Sequence, residues 1–239
     1  MWHAAKALVW ASLLGILLAG CASPRTAELD QAVRRVAVVS VMDEATPVER
    51  RGLTIFERTS RTVDQSGVLN NLVIDTVESQ LRRARPAWTL VDARAEVAGL
   101  STAWRKKGAS REDQQRLVAQ LATKLGVDHV FVVKDSGSQN FEGDGLGLSF
   151  RAIIPDQKLG FTMIHTFISL QMRNERGELV SSREAGLDPN RDFQTRDLGL
   201  NFDLSALDRP EVQARVKSVT QPLLRQAVLS ALARMGYGP

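Results

Sequence analysis

Apolar residues fall into runs whose spacing changes along the chain, and each spacing predicts an element. Residues 33–41 (VRRVAVVSV) have the β-branched density of a buried strand, which Met42-Asp43-Glu44 closes. Residues 45–66 show no clear period, and within them Gly52-Leu53-Thr54-Ile55-Phe56 reads as a short strand or a packed loop segment. Val68, Leu69, Leu72, Val73, Val77 and Leu81 recur at helical spacing, so residues 67–84 are expected to form an amphipathic helix stopped by Pro86. Arg82, Arg83 and Arg85 suit the negative end of its dipole. A short strand over 88–92 and a second helix over 93–104 follow. Ser110, with Asp113 three residues on, opens a third helix that Leu117, Val118, Leu121 and Leu125 carry to a stop at Gly126. Residues 128–133 return to buried-strand composition, completing a β-α-β-α-β order in which helices pack on a sheet.

The second half changes period. Leu146, Leu148, Phe150, Ala152 and Ile154 alternate with other residues at strand spacing, Pro155-Asp156-Gln157-Lys158 reads as a turn, and residues 161–172 form a long β-rich run. Asn174-Glu175-Arg176-Gly177 turns the chain into a return strand over 178–184, giving an antiparallel meander. Residues 187–208 are irregular. A helix then starts at Pro210 and runs to Gly236, with a bend or break expected near Val219 because Pro222 lies inside it. The fold class is therefore α/β (α+β): one sheet begun by β-α-β-α-β, completed by the meander, with a C-terminal helix packed on it.

The amino end follows a different logic. Lys6, an apolar stretch from Ala7 to Leu18 and the small residues Ala19-Gly20 have the order of a cleaved secretory signal over 1–20. About a dozen apolar residues fall short of the roughly 20 that a membrane-spanning helix needs. Leu18-Ala19-Gly20-Cys21 resembles the lipobox of bacterial lipoproteins, in which a diacylglycerol is attached to the cysteine thiol before cleavage. The resemblance implies a covalent diacylglycerol and N-acyl chain on Cys21 and no other cofactor. Residues 21–32 then read as a lipidated tether and 33–236 as a single periplasmic domain. Cys21 is the one cysteine of the chain, so the remainder has no thiol for a disulfide.

Charge changes this picture little. Without Lys6 the chain carries a small positive surplus, and its basic pairs are short and dispersed, so nucleic acid is not implied as a partner.

The lipobox, the Val36-Ala37-Val38-Val39 strand, the helix-to-strand junction from Leu121 to Val133 (LATKLGVDHVFVV) and the following hairpin together resemble a group of bacterial envelope lipoproteins. Their α/β domain is that of the TolB amino-terminal domain, the curli-secretion lipoprotein and the penicillin-binding-protein activator lipoproteins. The resemblance implies a domain that recognises partners or assembles into envelope structures, with no catalytic residues to carry over. Ala22 and Ser23, in place of an aspartate after the cysteine, imply the outer membrane with the domain on its periplasmic side. The partners so implied are the membrane through the lipid, an unidentified envelope protein, and copies of the chain itself. A pore-forming secretion subunit is the first alternative, with residues 145–172 as its candidate membrane hairpin; Arg151, Asp156, Lys158 and His165 interrupt that stretch.

Candidate chemistry is sparse. His129 and His165 lie in β-rich runs without a second ligand at metal-binding spacing, so no metal is expected. Gly143-Asp144-Gly145-Leu146-Gly147 lacks the Lys-Ser/Thr of a phosphate loop and reads as a flexible loop. No Gly-x-Ser-x-Gly occurs. Glu142 with Asp144, or Asp43 with Glu44, keep a cell-wall or glycan hydrolase as a further alternative. The expected class is non-catalytic. Candidate partner contacts are Trp104 with Arg105, Lys106 and Lys107, and Phe141; Phe193, Phe202 and Tyr237 are further aromatics.

Overall fold

The structure is a computed structural model that describes residues 33–51, 58–106, 109–138, 141–154, 159–187 and 204–238. In chain order its elements are β1 (Arg35–Ser40), β2 (Ala45–Arg51), β3 (Arg58–Asp64), α1 (Leu69–Ala84), β4 (Thr89–Val91), α2 (Arg94–Trp104), α3 (Arg111–Leu125) and β5 (His129–Asp135). Then come β6 (Gly137–Ser138), β7 (Phe141–Ile154), β8 (Leu159–Asn174), β9 (Leu179–Leu187), a 3₁₀ turn (Leu204–Asp208) and α4 (Pro210–Leu232). Both the β-α-β-α-β opening and the meander are present. The signal segment and tether, with Leu18, Ala19, Gly20 and Cys21, lie outside the described residues.

The sheet is mixed, in the order β3-β2-β7-β8-β5-β1-β4, with β9 on β8 and the two-residue β6 on β7. β8 organises it. Its residues 168–174 pair with β5, and its residues 159–167 pair with β7. β9 pairs with residues 166–173, overlapping both, so β5 and β7 must share the opposite edge of β8, end to end. β1 lies parallel to β5, and β2 lies parallel to β7. The chain therefore lays down two long tracks beside β8, one of β1 then β2 and the other of β5 then β7. β4 flanks the first track beside β1, and β3 flanks it beside β2.

Strand alternation divides the buried residues between two faces. Ala37, Val39, Val41, Val130 and Val132 pack against Leu100 and Trp104 of α2 and Val118 and Leu121 of α3. Val36, Val38 and Phe131 take the other face, the side of α1 and α4. There the Tyr237 ring meets Phe131 edge-on at 5.5 Å and Trp88 at 5.6 Å. Beside β2 and β7, α4 covers Val48, Leu148 and Ile164 with Val216 and Leu223.

The capping pattern of α3 is realised in full. The Ser110 hydroxyl accepts the Asp113 N–H at 3.1 Å, and the Asp113 carboxylate accepts the Ser110 N–H at 3.0 Å. Gly126 closes the helix in the left-handed region, with φ 60°.

Three expectations are corrected. Residues 45–64 hold a hairpin of two strands rather than irregular chain; the segment 52–56 itself lies outside the described residues. Residues 143–147 are part of β7 and not a flexible loop. Their glycines leave room for neighbours: a Cβ on Gly145 would collide with the Asp135 carboxylate, and one on Gly147 with the His165 ring. Finally, α4 runs unbroken through Pro222. The lost hydrogen bond costs about 3 kcal/mol, and burial of Val216, Leu223, Leu224 and Val228 at roughly 1.5–3 kcal/mol each outweighs it.

The turn from β8 to β9 places Gly177 at φ 73°, where a Cβ would strike the Gln115 carbonyl on α3. Gly67 has nearly the same φ, 74°, with open space around it. Thermal unfolding should therefore show Gly67→Ala costing about 1 kcal/mol, from backbone conformation alone, and Gly177→Ala costing clearly more. Equal losses would mean that the turn does not dock on α3.

Candidate functional site

Both long tracks break at the same level, after β1 at residues 41–44 and after β5 where pairing with β8 stops at Asp135 and resumes at Gly145, Gly137 pairing with Asp144 between them. The Val41 N–H still reaches the Val133 carbonyl at 2.8 Å. One residue pair further on, a side chain replaces the ladder: the Asp43 N–H donates to the Asp135 carboxylate at 2.6 Å. The Arg105 guanidinium, just past the end of α2, stands 3.4 Å from the Asp43 carboxylate. Burial pushes the Asp135 carboxyl up to about 6. The Asp43 N–H and Arg105 oppose the rise, and the nearby Asp43 and Asp144 charges add to it.

The carboxylates proposed as an acid/base pair are engaged in holding this joint. Asp43 accepts the Ala45 N–H at 3.0 Å, and Glu44 accepts the Asn70 N–H in the first turn of α1 at 3.1 Å. Asn70 in turn accepts the Met42 N–H at 3.2 Å. Asp144 lies beside Gly137 across the β6–β7 pairing, and the Glu142 side chain is outside the described residues.

The contact candidates separate in space. Trp104 is packed in the α2–α3 core at 6% exposure, so it is not presented to a partner. Arg173, from distant β8, lies over its ring at 5.7 Å. That guanidinium is itself buried, donating to Gln171 Oε1 at 3.0 and 2.9 Å and to the Gly177 carbonyl at 2.8 Å. Burial, and then the Arg111 charge, lowers its pKa. Lys106 is exposed and lines an open cleft of about 380 Å³ with Ala103, Arg116, Leu117 and Gln120. Lys107 lies outside the described residues, and of Phe141 only the backbone, in β7, is described. Tyr237 is core, at 3% exposure, while Phe193 and Phe202 lie outside the described residues.

The histidines are far apart. His129 pairs with Asn174 on β8, and His165 lies nine residues back along the same strand, roughly 30 Å away. They cannot ligate one ion. Burial lowers the pKa of His129 against the pull of Glu175 and Asp128, which keeps it neutral near pH 7. The His165 ring stacks on Phe167 at 5.7 Å. Sequence reasoning missed Asp135 and Arg173. Asp135 ends a strand as solvated acids do, and nothing local marks Arg173 as buried.

No family model and no curated protein matches the chain. Solved structures do. The lipoprotein GNA1162 from Neisseria meningitidis is 10% identical, over 64% of this chain and 81% of its own, with a TM-score of 0.34. The LpoB C-terminal domain from Salmonella enterica is 16% identical, over 68% and 92%, at 0.31. The hypothetical protein CT253 from Chlamydia trachomatis is 10% identical, over 80% and 98%, at 0.30. Scores near 0.3 leave the argument for the fold on the chain's own strand order and register.

Two outcomes test this geometry. Trp104→Ala should lower stability by about 3–5 kcal/mol in thermal unfolding, the effect of a buried aromatic rather than of a surface contact. Between about pH 4 and 6, folded Asp135 keeps a proton that the unfolded chain, with its ordinary value of 3.8, has released. Its contribution is full below that window, falls as the pH rises through it, and stays reduced above. Asp135→Asn, compared with wild type in denaturant titrations, should remove a pH-dependent loss of about 3 kcal/mol; parallel curves would refute it.

Proposed function

We propose that the chain is a non-catalytic lipoprotein of the bacterial envelope, held by acyl chains on Cys21, whose α/β domain binds another envelope component. The observation that carries this is the position of the one cysteine, at the end of a charged, apolar and then small-residue leader. Acyl burial contributes about 0.8 kcal/mol per CH₂, so several chains would hold the domain at a membrane durably. Ala22 and Ser23 after the cysteine favour the outer membrane, with the domain in the periplasm.

The joint supports a binding rather than a catalytic role, because Asp43 and Glu44 are committed to backbone N–H groups. The β7–β8 hairpin is held in the domain's own sheet by β2, β5 and β9, which favours sheet completion over a membrane hairpin.

Mass spectrometry of the chain purified from membranes should find the processed protein beginning at acylated Cys21, and Cys21→Ala should leave the membrane fraction or accumulate unprocessed. Normal processing and membrane retention of Cys21→Ala would sink the anchor. Crosslinking in intact cells should then capture an envelope protein with wild type and lose it with Cys21→Ala. Conversion of isolated cell-wall material by the purified chain, abolished in Glu142→Ala/Asp144→Ala, would show an enzyme instead.

A further inference from the structure

The end of the sheet where β1 begins is also where two helices finish. α1 starts at the far end of β1, where Asn70 accepts the Met42 N–H at 3.2 Å. It finishes at the near end, where the Thr89 N–H, just beyond the helix, donates to the Arg34 carbonyl at 2.8 Å. α3 finishes at the same level on the other face. The Asp128 N–H donates to the Arg35 carbonyl at 2.9 Å, and Arg35 Nη2 donates to the Leu125 carbonyl at 3.3 Å. Alternation turns Arg35 toward α3 and Arg34 toward α1, whose last turn carries Arg82 and Arg83, so the four arginines share one rim. All four are exposed.

The rim stays basic after the acids around it are counted. Arg82 pairs with Glu78 at 3.0 Å, and Lys124, in the last turn of α3, pairs with Glu96 at 2.7 Å. The Asp128 carboxylate accepts the Arg34 and Arg35 N–H groups at 2.9 and 2.8 Å and offsets one charge. Two strands away, the β8–β9 turn adds Glu175, Arg176 and Glu178, one further negative charge. Against these stand Arg34, Arg35, Arg83 and Arg85, leaving a surplus of two positive charges. Arg85 is half-buried, over the Tyr237 ring at 5.1 Å. The Arg83 guanidinium donates to the hydroxyl and carbonyl of Ser79, at 3.1 and 3.3 Å. Arg34, Arg35 and Arg83 thus hold their charge at the surface, and guanidinium groups take phosphate oxygens in pairs.

We infer that this rim docks the domain against the anionic phospholipid headgroups of the membrane that carries it. The inference rests on the lipid-anchor reading, and the tether itself supplies the proximity. Arg34 and Arg35 directly follow Val33, the buried residue at which the tether enters the fold, and eleven residues separate Val33 from Cys21, a reach of at most about 43 Å. Basic groups held beside the root of such a tether are drawn to an anionic leaflet once they come within a Debye length of it. The Asp43–Asp135 joint, at the other end of β1, would then face away from the membrane.

The test places the full processed chain in lipid nanodiscs of phosphatidylcholine alone or enriched in phosphatidylglycerol, each doped with a gadolinium-chelate lipid that broadens nearby amide signals. Flotation with phosphatidylcholine vesicles reports the anchor separately. On the anionic discs, amides of residues 87–89 and 126–128 should broaden more than those of residues 43–45 and 135–137 at the joint, and high salt should remove the excess. At roughly fivefold per basic residue, a surplus of two should favour the docked orientation about 25-fold over that on neutral discs. Arg34→Gln/Arg35→Gln/Arg83→Gln should lose this preference, while Arg34→Lys/Arg35→Lys/Arg83→Lys keeps it and controls for folding. Equal contrast between the two ends on both disc types, or full contrast in the glutamine variant, would overturn the inference. So would signal shifts at the rim with a soluble acidic peptide but none with phosphatidylglycerol, which would give the rim to a protein partner. A chain that does not float with neutral vesicles refutes the anchor instead, and docking is then still read as salt-reversible broadening at the rim on the anionic discs.

Discussion

The rest of the structure depends on β8 having strands along both edges. Its 16 residues take β5 and β7 in succession on one edge and β9 on the other, so one continuous strand aligns the parallel and antiparallel parts of the sheet. Ile168, Leu170 and Met172 are fully buried or nearly so, and each contributes roughly 1.5–3 kcal/mol through burial. The two helical layers follow from this alignment. α2 and α3 cover the β1–β5 region on one face, and α4 covers the β2–β7 region on the other.

The joint between the tracks is where this plan costs most. Two strands stop at the same level, and Asp43, Glu44, Asn70 and Asp135 supply hydrogen bonds that a continuous ladder would have made. A half-buried carboxyl pushed up to about 6 is the electrostatic consequence. Function is one explanation for a perturbed group; here the backbone geometry accounts for it without substrate.

Much of the fold was legible because burial on one face writes a period into the sequence. The Ser110–Asp113 cap, the Gly126 stop and the Val130–Val133 run all lie where spacing and turn chemistry put them. The β2–β3 hairpin was not legible, since an edge hairpin buries little. Among the described residues, Val48 and Val63 are its fully covered apolar side chains, and two valines fifteen positions apart make no pattern. Gly145 and Gly147 misled for the opposite reason: strands disfavour glycine, but Asp135 and His165 fill the space that side chains there would need. At the candidate site, Trp104 beside a basic run was a candidate contact, and Arg173, which lies over its ring, is 69 positions away. Local sequence does not encode such a lid.

The same long-range pairing governs how the chain can fold. β1 pairs with β5 and β2 with β7 across about a hundred residues each, so each track closes only by a long-range contact. Loop closure of that length precedes any reward from contact, which makes folding slow compared with formation of the local helices. In a chain exported from its amino end, as proposed above, β1 and β2 would cross the membrane about a hundred residues ahead of β5 and β7, their partners in the sheet.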